Sequence, residues 1–372
     1  MYRGRFIIFL MIGMALFFTL PMINIVASLV TGVEREGEEQ SDPWRNLWSA
    51  DFSEGTLSFF MMRCCNKSMQ PGRVYIGRGG FLFLGNDFEN VMDKTTGRVR
   101  PPMEEVDRWA QSVGKIRDIV DAQDGVFAMV IAPNKHSIYS QYLPKGLSAA
   151  DRNVTDDFID SARRHELPIL DLRPLLRKAS EETQVYFNTD THWNPLGASI
   201  AFDQTMEFIE ALHGFDMPVL SYGIRPVGRV AGDLANFLKI ENILGAKAEQ
   251  THIYEIETGP ICLSKTDLKL LDFEPCNDFN NRRLSVGGES LGQILMTKAA
   301  TAPNPQTVLM LCDSFCVAAS PLFNANFQTV YRVDWSQMKG ELLRSTIERL
   351  QPDIVVLHMV ERHLWEPDFG LE

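Results

Sequence analysis

Continuous apolar segments that alternate with helical segments constrain the fold of this chain more than any other sequence feature. The clearest is residues 125–131, which read GVFAMVI and contain no polar side chain. Four further strand-like segments follow along the chain, at residues 168–172, 307–311, 329–333 and 353–357. Apolar runs without alternation are typical of central strands in parallel sheets, because helices cover both faces. With helical segments near 102–122, 149–165 and 336–350, the pattern predicts an α/β fold with a mainly parallel sheet flanked by helices.

A single long apolar segment lies near the N-terminus. Residues 6–30 carry no charged side chain, and a membrane-spanning helix needs about 20 such residues. Arg3 and Arg5 precede the segment and four glutamates follow it, which places residues 1–5 in the cytoplasm and the remainder across the membrane. We therefore predict an uncleaved signal anchor at 6–30. The alternative is a cleaved signal peptide that ends near residues 26–28, and both place the body of the protein outside the cytoplasm.

Behind the anchor, the sequence divides into a linker and one globular domain. Residues 31–70 are predicted as the linker, because their first part is polar and acidic. The globular domain is predicted at 71–372, where a hairpin at about 74–84 marks its beginning. Residues 240–300 are polar and interrupt the alternation of strands and helices, so an inserted loop or a small β excursion is expected there.

The six cysteines fit an oxidising compartment. Cys262 and Cys276 lie in a polar stretch, and their spacing predicts a disulfide that closes a short loop. Cys312 and Cys316 lie in an apolar segment and are expected to be buried free thiols.

The charge balance limits the class of partner. The chain has 36 Lys and Arg residues against 48 Asp and Glu residues, which gives a net charge of −12. Non-specific binding to nucleic acid requires a basic surface that displaces phosphate counterions. The sequence therefore argues against a nucleic-acid partner.

Ser314 is the first candidate for chemistry. It follows the apolar segment 307–311 in the stretch Cys312-Asp313-Ser314-Phe315, where a buried strand turns toward a predicted helix. Ligands of open α/β sheets bind outside the carboxyl ends of the strands, so a serine there can act as a nucleophile with backbone N–H groups facing an oxyanion. The alternative is that Ser314 only caps the helix.

Asp190 and His192 form the second candidate. They lie in the stretch NTDTHWNP, directly before a helix that is predicted to start at Asn194-Pro195. An aspartate close to a histidine can accept its Nδ1–H and leave the other ring nitrogen free to act as a general base. The alternative, a loop histidine satisfied by its neighbour, is less favoured once Ser314 is considered with it.

Charged residues after two other predicted strands are weaker candidates. Lys135 follows the segment 125–131, and it is either a substrate ligand or a plain loop residue. Glu361 and Arg362 lie in HMVERH after the segment 353–357, and their role is structural or substrate-contacting. The spacing of HMVERH misses the known zinc motifs, so no metal and no cofactor is predicted.

Five stretches together resemble one known family. The chain contains GGFLFLGND, VIAPNKHSIYSQYLP, VYFNTDTHWNPLGA, LMLCDSF and PDIVVLHMVER. They resemble the polysaccharide O-acetylation proteins of the AlgJ and AlgX type, which act in acetylation of alginate and, in related form, of cellulose. The resemblance implies an SGNH-hydrolase-like domain in which Asp190, His192 and Ser314 form a catalytic triad. Trp193 is then expected among the substrate-binding residues, with Lys135, Glu361 and Arg362.

The resemblance also implies a reaction and its partners. It implies transfer of an acetyl group, through an acetyl-serine, onto hydroxyls of an exported polysaccharide. A membrane-bound O-acyltransferase would supply the acetyl group, and a single-pass anchor would hold the domain on the periplasmic face of the inner membrane. The same residues would serve an acetyl esterase. A noncatalytic polysaccharide-binding subunit, or scaffold, of the acetylation complex is the alternative from another class.

Overall fold

The computed structural model describes residues 50–245, 248–274, 292–364 and 369–371, with residues 19, 21, 22 and 25. The predicted anchor at 6–30 lies almost entirely outside these residues. Within the described part of the chain, no helix combines the length and the apolar character needed to cross a bilayer.

Eleven strands occur in the described ranges. In chain order they are β1 Val74–Ile76, β2 Leu82–Leu84, β3 Val126–Ala132, β4 Ile169–Asp171, β5 Tyr222–Arg229, β6 Glu249–Ile256, β7 Ile261–Asp267, β8 Gln293–Ala299, β9 Asn304–Cys312, β10 Phe327–Asp334 and β11 Ile354–Val360.

Eleven α-helices accompany them in the same ranges. In chain order they are α1 Ala50–Cys65, α2 Val91–Thr95, α3 Met103–Asp121, α4 Lys135–Ile138, α5 Val154–Arg164, α6 Arg173–Glu182, α7 Pro195–His213, α8 Asp233–Phe237, α9 Glu241–Leu244, α10 Cys316–Asn326 and α11 Gly340–Leu350.

Seven strands form one mixed sheet. Its order is β4-β3-β11-β9-β10-β8-β7. The first five strands run parallel to one another, whereas β8 pairs antiparallel with β10, and β7 pairs antiparallel with β8 at the edge. The prediction of a mainly parallel sheet is therefore confirmed, with two strands added through antiparallel pairing. Both added strands come from the segment 240–300, which here extends the main sheet.

Helices cover both faces of this sheet, as the unbroken apolar strands require. Along β3, alternate side chains point to opposite faces. Ala128 and Val130 join the core beneath α7 and α10, while Phe127 and Met129 join the core beneath α3, α5 and α11. The molecule thus has three layers, and the sheet is buried between two hydrophobic cores.

Two small antiparallel pairs lie outside the main sheet. Strands β1 and β2 form the predicted hairpin. Strands β5 and β6 pair over their whole length, from Tyr222 opposite Ile256 to Arg229 opposite Glu249. This second pair brings the end of β5 and the start of β6 to the same place.

Part of the predicted linker is helical. Helix α1 packs Phe59 and Met62 against a third core that includes residues of α8 and α9. Gly55 makes the close approach possible, because a Cβ there would come within 2.0 Å of the Lys239 carbonyl oxygen. The folded body therefore begins earlier than residue 71.

The carboxyl ends of β3, β9 and β11 lie at one edge of the sheet. They are neighbours, since β11 pairs with both β3 and β9 in parallel register. The polar segments that follow them start at Pro133, Asp313 and Glu361. This edge is where the candidate residues from the sequence come together.

Candidate active site

Ser314 lies in the turn between β9 and α10. Its side chain is exposed, although both flanking elements are buried. Asp313 shapes the turn with both carboxylate oxygens. Its Oδ1 accepts a hydrogen bond from Phe315 N at 3.0 Å, and its Oδ2 accepts one from Val360 N at 2.8 Å. The serine turn is thereby tied to the end of β11.

A disulfide brackets the same turn. Cys312 is the last residue of β9 and Cys316 the first of α10, and their sulfur atoms are bonded. The prediction of buried free thiols was wrong. Their separation of four residues spans a strand-to-helix turn, which brings the two Cα atoms to 6.1 Å, within the range that a disulfide bridges. Cys262 is buried on β7, but Cys276 lies outside the described residues, so their pairing stays a prediction.

His192 links Ser314 to Asp190. The Ser314 hydroxyl lies 2.8 Å from His192 Nε2, and His192 Nδ1 lies 2.7 Å from Asp190 Oδ1. With the ring proton on Nδ1 donated to the carboxylate, Nε2 is free to accept the serine proton. The same Asp190 oxygen also accepts a hydrogen bond from His192 N at 3.0 Å. The structure therefore brings the three residues into one hydrogen-bonded chain, across a separation of 122 residues.

The loop that carries Asp190 and His192 ends in a capped helix. Asn194 precedes Pro195 at the start of α7, and its Oδ1 accepts a hydrogen bond from Gly197 N at 2.9 Å. Proline at the first helical position needs no N–H partner, and the asparagine satisfies a free donor of the first turn. The helix start therefore fixes the chain two residues after His192.

Trp193 links the loop that carries His192 to the turn that carries Ser314. It is 1% exposed, and its Nε1 donates a hydrogen bond to the Phe315 carbonyl oxygen at 2.9 Å. The expectation that Trp193 binds substrate was wrong, because the indole is enclosed by Tyr186, Phe315 and the core beneath α7.

Lys135 supports the histidine loop from inside the protein. Its side chain is 2% exposed, and its ammonium donates to the carbonyl oxygens of Phe187, Asn188 and Asp190 at 3.1, 3.2 and 2.6 Å. Burial lowers the pKa of Lys135 to about 8, although the negative charges of nearby carboxylates oppose that effect. Because its donors are taken by the backbone, Lys135 positions the loop and does not face a substrate.

Glu361 and Arg362 are also engaged by the protein. Glu361 is buried and accepts hydrogen bonds from Asn134 N, Ser137 Oγ and Thr155 Oγ1 at 2.9, 2.6 and 2.8 Å. The guanidinium of Arg362 lies 5.5 Å from the centre of the Phe315 ring and donates to Asn134 Oδ1 at 3.4 Å. Their observed contacts are structural, which is one of the two roles that the sequence left open.

Segment 229–235 contributes groups that sequence reasoning missed. Arg229 Nη2 donates to Asp190 Oδ2 at 2.5 Å. Asp233 Oδ1 accepts a hydrogen bond from Thr191 N at 2.7 Å, and its Oδ2 lies 3.8 Å from His192 Nδ1. Glu249, at the start of β6, accepts from Thr189 N at 2.6 Å. No motif marked these positions, because Arg229 and Glu249 reach the site through the pairing of β5 with β6, and Asp233 reaches it at the start of α8.

The charges around His192 act on the two neighbouring carboxylates in opposite ways. Burial acts to raise the pKa of Asp190, but the hydrogen bond and charge of His192 and the charge of Arg229 outweigh it and hold that pKa well below its usual range. Burial and the neighbouring charge of Asp190 raise the pKa of Asp233. Asp190 is thus kept ionised beside the imidazole.

The same cluster contains side chains of the types that bind metal ions. Asp190, His192 and Asp233 each offer a ligand atom, and these atoms lie within 4.8 Å of one another. However, Asp190 Oδ1 and His192 Nδ1 share a hydrogen bond, and Arg229 occupies Asp190 Oδ2. These contacts fit a proton relay, in which the imidazole needs a free Nε2 and a fixed Nδ1–H.

Comparisons with known proteins identify a family model and several relatives that are similar to this chain. The family model described as "SGNH hydrolase-like domain, acetyltransferase AlgX" matches residues 74–275, a range that contains Asp190 and His192 and ends before Ser314. The probable alginate O-acetylase AlgJ of Pseudomonas aeruginosa is 29% identical over 199 residues, which cover 51% of this chain and 48% of that protein. The chain spans about half the length of the curated relatives it matches.

Solved structures share the fold at low sequence identity. Bacillus cereus PatB1 aligns with a TM-score of 0.56 and 15% identity, over 77% of this chain and 95% of that one. A DHHW family protein from Eubacterium siraeum aligns with a TM-score of 0.54 and 19% identity, over 71% of this chain and 86% of that one. Because the family model matches more than half of the residues, the chain belongs to the AlgX family of SGNH hydrolase-like domains.

Proposed function

We propose that this protein is an O-acetyltransferase that moves an acetyl group through Ser314 onto hydroxyls of an exported polysaccharide. One observation carries the proposal, the continuous hydrogen-bonded chain from Asp190 through His192 to the exposed Ser314. Such an arrangement is recognised by its geometry on unrelated folds, whatever the order of the residues along the chain. The family description and the AlgJ relatives support an acetyl group as the cargo.

The first half-reaction forms an acetyl-serine. His192 Nε2 takes the proton from the Ser314 hydroxyl, and Oγ forms a bond to the carbonyl carbon of an acetyl ester or thioester. Asp190 stabilises the imidazolium that results. The backbone N–H of Ser314 donates to the oxyanion, and donors of this kind contribute roughly 3 kcal/mol each in comparable enzymes. The bond to the leaving group then breaks, and His192 returns the proton to that group.

The second half-reaction regenerates the serine. A sugar hydroxyl takes the place of the leaving group and gives its proton to His192 Nε2. Its oxygen forms a bond to the acetyl carbon, the bond to Ser314 Oγ breaks, and Oγ recovers the proton from the imidazolium. The exposed position of Ser314 suits an acceptor as large as a polymer chain. If water takes the place of the sugar, the same steps describe an acetyl esterase.

The proposed setting is the outer face of a membrane. Residues 6–30 contain no charge and follow Arg3 and Arg5, which supports a single-pass anchor that leaves the domain in the periplasm. A periplasmic domain needs an acetyl donor other than cytoplasmic acetyl-coenzyme A. We therefore propose a membrane-bound O-acyltransferase as the partner that passes acetyl groups outward.

The chemical test compares the purified full chain with a Ser314→Ala variant. Both are incubated with p-nitrophenyl acetate and an acceptor glycan, and mass spectrometry follows the acetylated serine peptide and the glycan. The parent is expected to show both products, and Ser314→Ala neither. Ser180→Ala is the matched control, since that hydroxyl donates to the Arg177 carbonyl of its own helix. An active Ser314→Ala variant would exclude the proposal, whereas acetate without acetylated glycan would favour the esterase.

A further inference from the structure

Segment 229–235 encloses the loop that carries Asp190. Gly232 N donates to Thr189 Oγ1 at 2.8 Å, and Leu234 N and Ala235 N both donate to the Thr189 carbonyl oxygen at 3.1 Å. The fit is close, because a Cβ on Gly232 would come within 2.3 Å of Asp190 Cβ. The segment therefore packs directly against the acidic member of the relay.

Arg229 occupies the side of Asp190 that faces away from the imidazole. Asp190 is 4% exposed, so its second oxygen needs a partner inside the protein. Arg229 Nη2 supplies it, and the guanidinium carbon lies 3.9 Å from the centre of the Phe187 ring. With Oδ2 held in this way, the carboxylate presents Oδ1 to His192 and cannot rotate without breaking a charged hydrogen bond.

Asp233 stands on the other side of His192 Nδ1. At 3.8 Å its Oδ2 is too far for a hydrogen bond but close enough for a strong electrostatic effect. Its other oxygen is fixed by Thr191 N, so the carboxylate is held toward the ring. The imidazole therefore has one carboxylate in direct contact and a second within 4 Å.

We propose that Arg229 and Asp233 are positioning residues of the acyl transfer, which rests on the function proposed above. Arg229 orients Asp190 and balances its charge. Asp233 stabilises the imidazolium that forms when His192 accepts the serine proton. The two residues have opposite charge, and they act on the two sides of one Asp190–His192 dyad.

Other charged groups face the same dyad. Lys135 approaches from α4 and Glu249 from β6, each in electrostatic contact with the cluster. Arg362, which follows β11, contributes positive charge near Asp233. None of these three residues is substituted in the Arg229 and Asp233 variants, and among them Glu249 contacts Arg229 directly, with its Oε2 3.8 Å from Arg229 Nη1. A shift in the pH profile of such a variant is therefore attributed to the charge that was removed.

The test measures kcat/KM of the full chain for p-nitrophenyl acetate between pH 5 and pH 9. Arg229→Gln is expected to lower the plateau about 10-fold and to move the acid limb to higher pH, because a positive charge has left the dyad. Asp233→Asn is expected to lower the plateau about 10-fold and to move the acid limb to lower pH. Arg229→Lys keeps the charge and should keep the acid limb of the parent.

Matched controls lie on the same hairpin. Arg225, on β5, and Glu255, on β6, form an ion pair at 2.7 Å in which both side chains are more than half exposed. Arg225→Gln and Glu255→Gln remove the same charges at a distance from the dyad. Both variants should reproduce the pH profile of the parent.

The outcomes separate this inference from the function on which it rests. If Ser314→Ala is inactive but Arg229→Gln and Asp233→Asn lose activity without a shift of the acid limb, the two residues are only structural and the inference is wrong. If Ser314→Ala stays active, the proposed function and the inference fail together. Should Arg229→Gln not fold, Arg229→Lys and Asp233→Asn still decide the result through the position of the acid limb.

Discussion

The indole nitrogen of Trp193 donates a hydrogen bond to the carbonyl oxygen of Phe315 at 2.9 Å. Trp193 follows His192 along the chain, and Phe315 follows Ser314. The two rings also meet edge to face, with centroids 5.3 Å apart. One buried contact therefore fixes the distance between the segments that carry the base and the nucleophile.

Trp193→Phe is expected to weaken both stability and activity. An aromatic ring remains at the position, but the buried Phe315 carbonyl loses its hydrogen-bond donor. This loss costs about 1–3 kcal/mol of unfolding free energy. The His192–Ser314 distance also loses its support, so kcat should fall by about 10-fold. Urea unfolding and p-nitrophenyl acetate kinetics check both effects. Trp109→Phe is the control, because Trp109 Nε1 has no hydrogen-bond partner among the described residues. Equal losses in the two variants would contradict the role given to Trp193.

Removal of the Cys312–Cys316 disulfide is expected to loosen the serine turn. The bond closes a loop of five residues, for which the chain-entropy model gives about 2 kcal/mol of stabilisation. A Cys312→Ala/Cys316→Ala variant should therefore unfold at lower urea concentration and show a reduced kcat/KM. The control is Cys64→Ser/Cys65→Ser, since those cysteines are free and exposed. Unchanged kinetics in the first variant would show that the turn keeps its shape without the disulfide.

Lys135→Met is expected to disorder the histidine loop. Three backbone carbonyls lose one ammonium donor, and the loss of charged hydrogen bonds costs roughly 2–4 kcal/mol in total. The activity should fall more than 10-fold, since the loop carries Asp190 and His192. Unfolding and kinetics are compared with Lys178→Met, an exposed position on α6. Full activity of Lys135→Met would contradict the role of Lys135 in positioning the histidine loop.

Stability is expected to fall in acid through Asp313. Burial acts to raise its pKa, but the hydrogen bond and charge of His363 and further positive charge lower that pKa below its usual value. A carboxyl with a depressed pKa in the folded state stabilises the protein above its unfolded pKa of about 3.9, and this contribution is lost as the pH falls further. Urea unfolding at pH 7, 4 and 3 should therefore show a steeper loss below pH 4 in the parent than in Asp313→Asn.

The control for this acid effect is Asp151→Asn on an exposed loop. Its unfolding free energy should decline in acid as that of the parent does. A parallel decline in Asp313→Asn would show that other carboxyl groups control the acid transition.

The sheet was predictable because burial on both faces removes polar residues from its strands. The segment 125–131 shows this directly, since it has no polar side chain and becomes β3, which is buried at every residue but its first. The mixed character of the sheet was not predictable in the same way. Strand β7 lies at the edge of the sheet, and its second half is polar and partly exposed, whereas β8 beside it is mostly buried.

The candidate site was predictable only for residues whose position follows from the chain itself. Asp190 and His192 share one loop, and Ser314 follows a buried strand, so local patterns revealed them. Arg229 and Asp233 have no such pattern, because Arg229 depends on the pairing of β5 with β6 and Asp233 on the way α8 packs against the histidine loop. Trp193 could not be placed either, since an aromatic residue beside a catalytic loop can face the substrate or the core.

Strand β11 is the last of the described strands along the chain, yet it lies between β3 and β9 in the interior of the sheet. Those two neighbours do not pair with each other, so they share a register only through β11. A nascent polypeptide must therefore emerge from the ribosome beyond residue 360 before the relay can assemble. Truncation upstream of Ile354 is expected to yield a protein without activity rather than one with reduced activity. Activity would then appear only late in the synthesis of the chain.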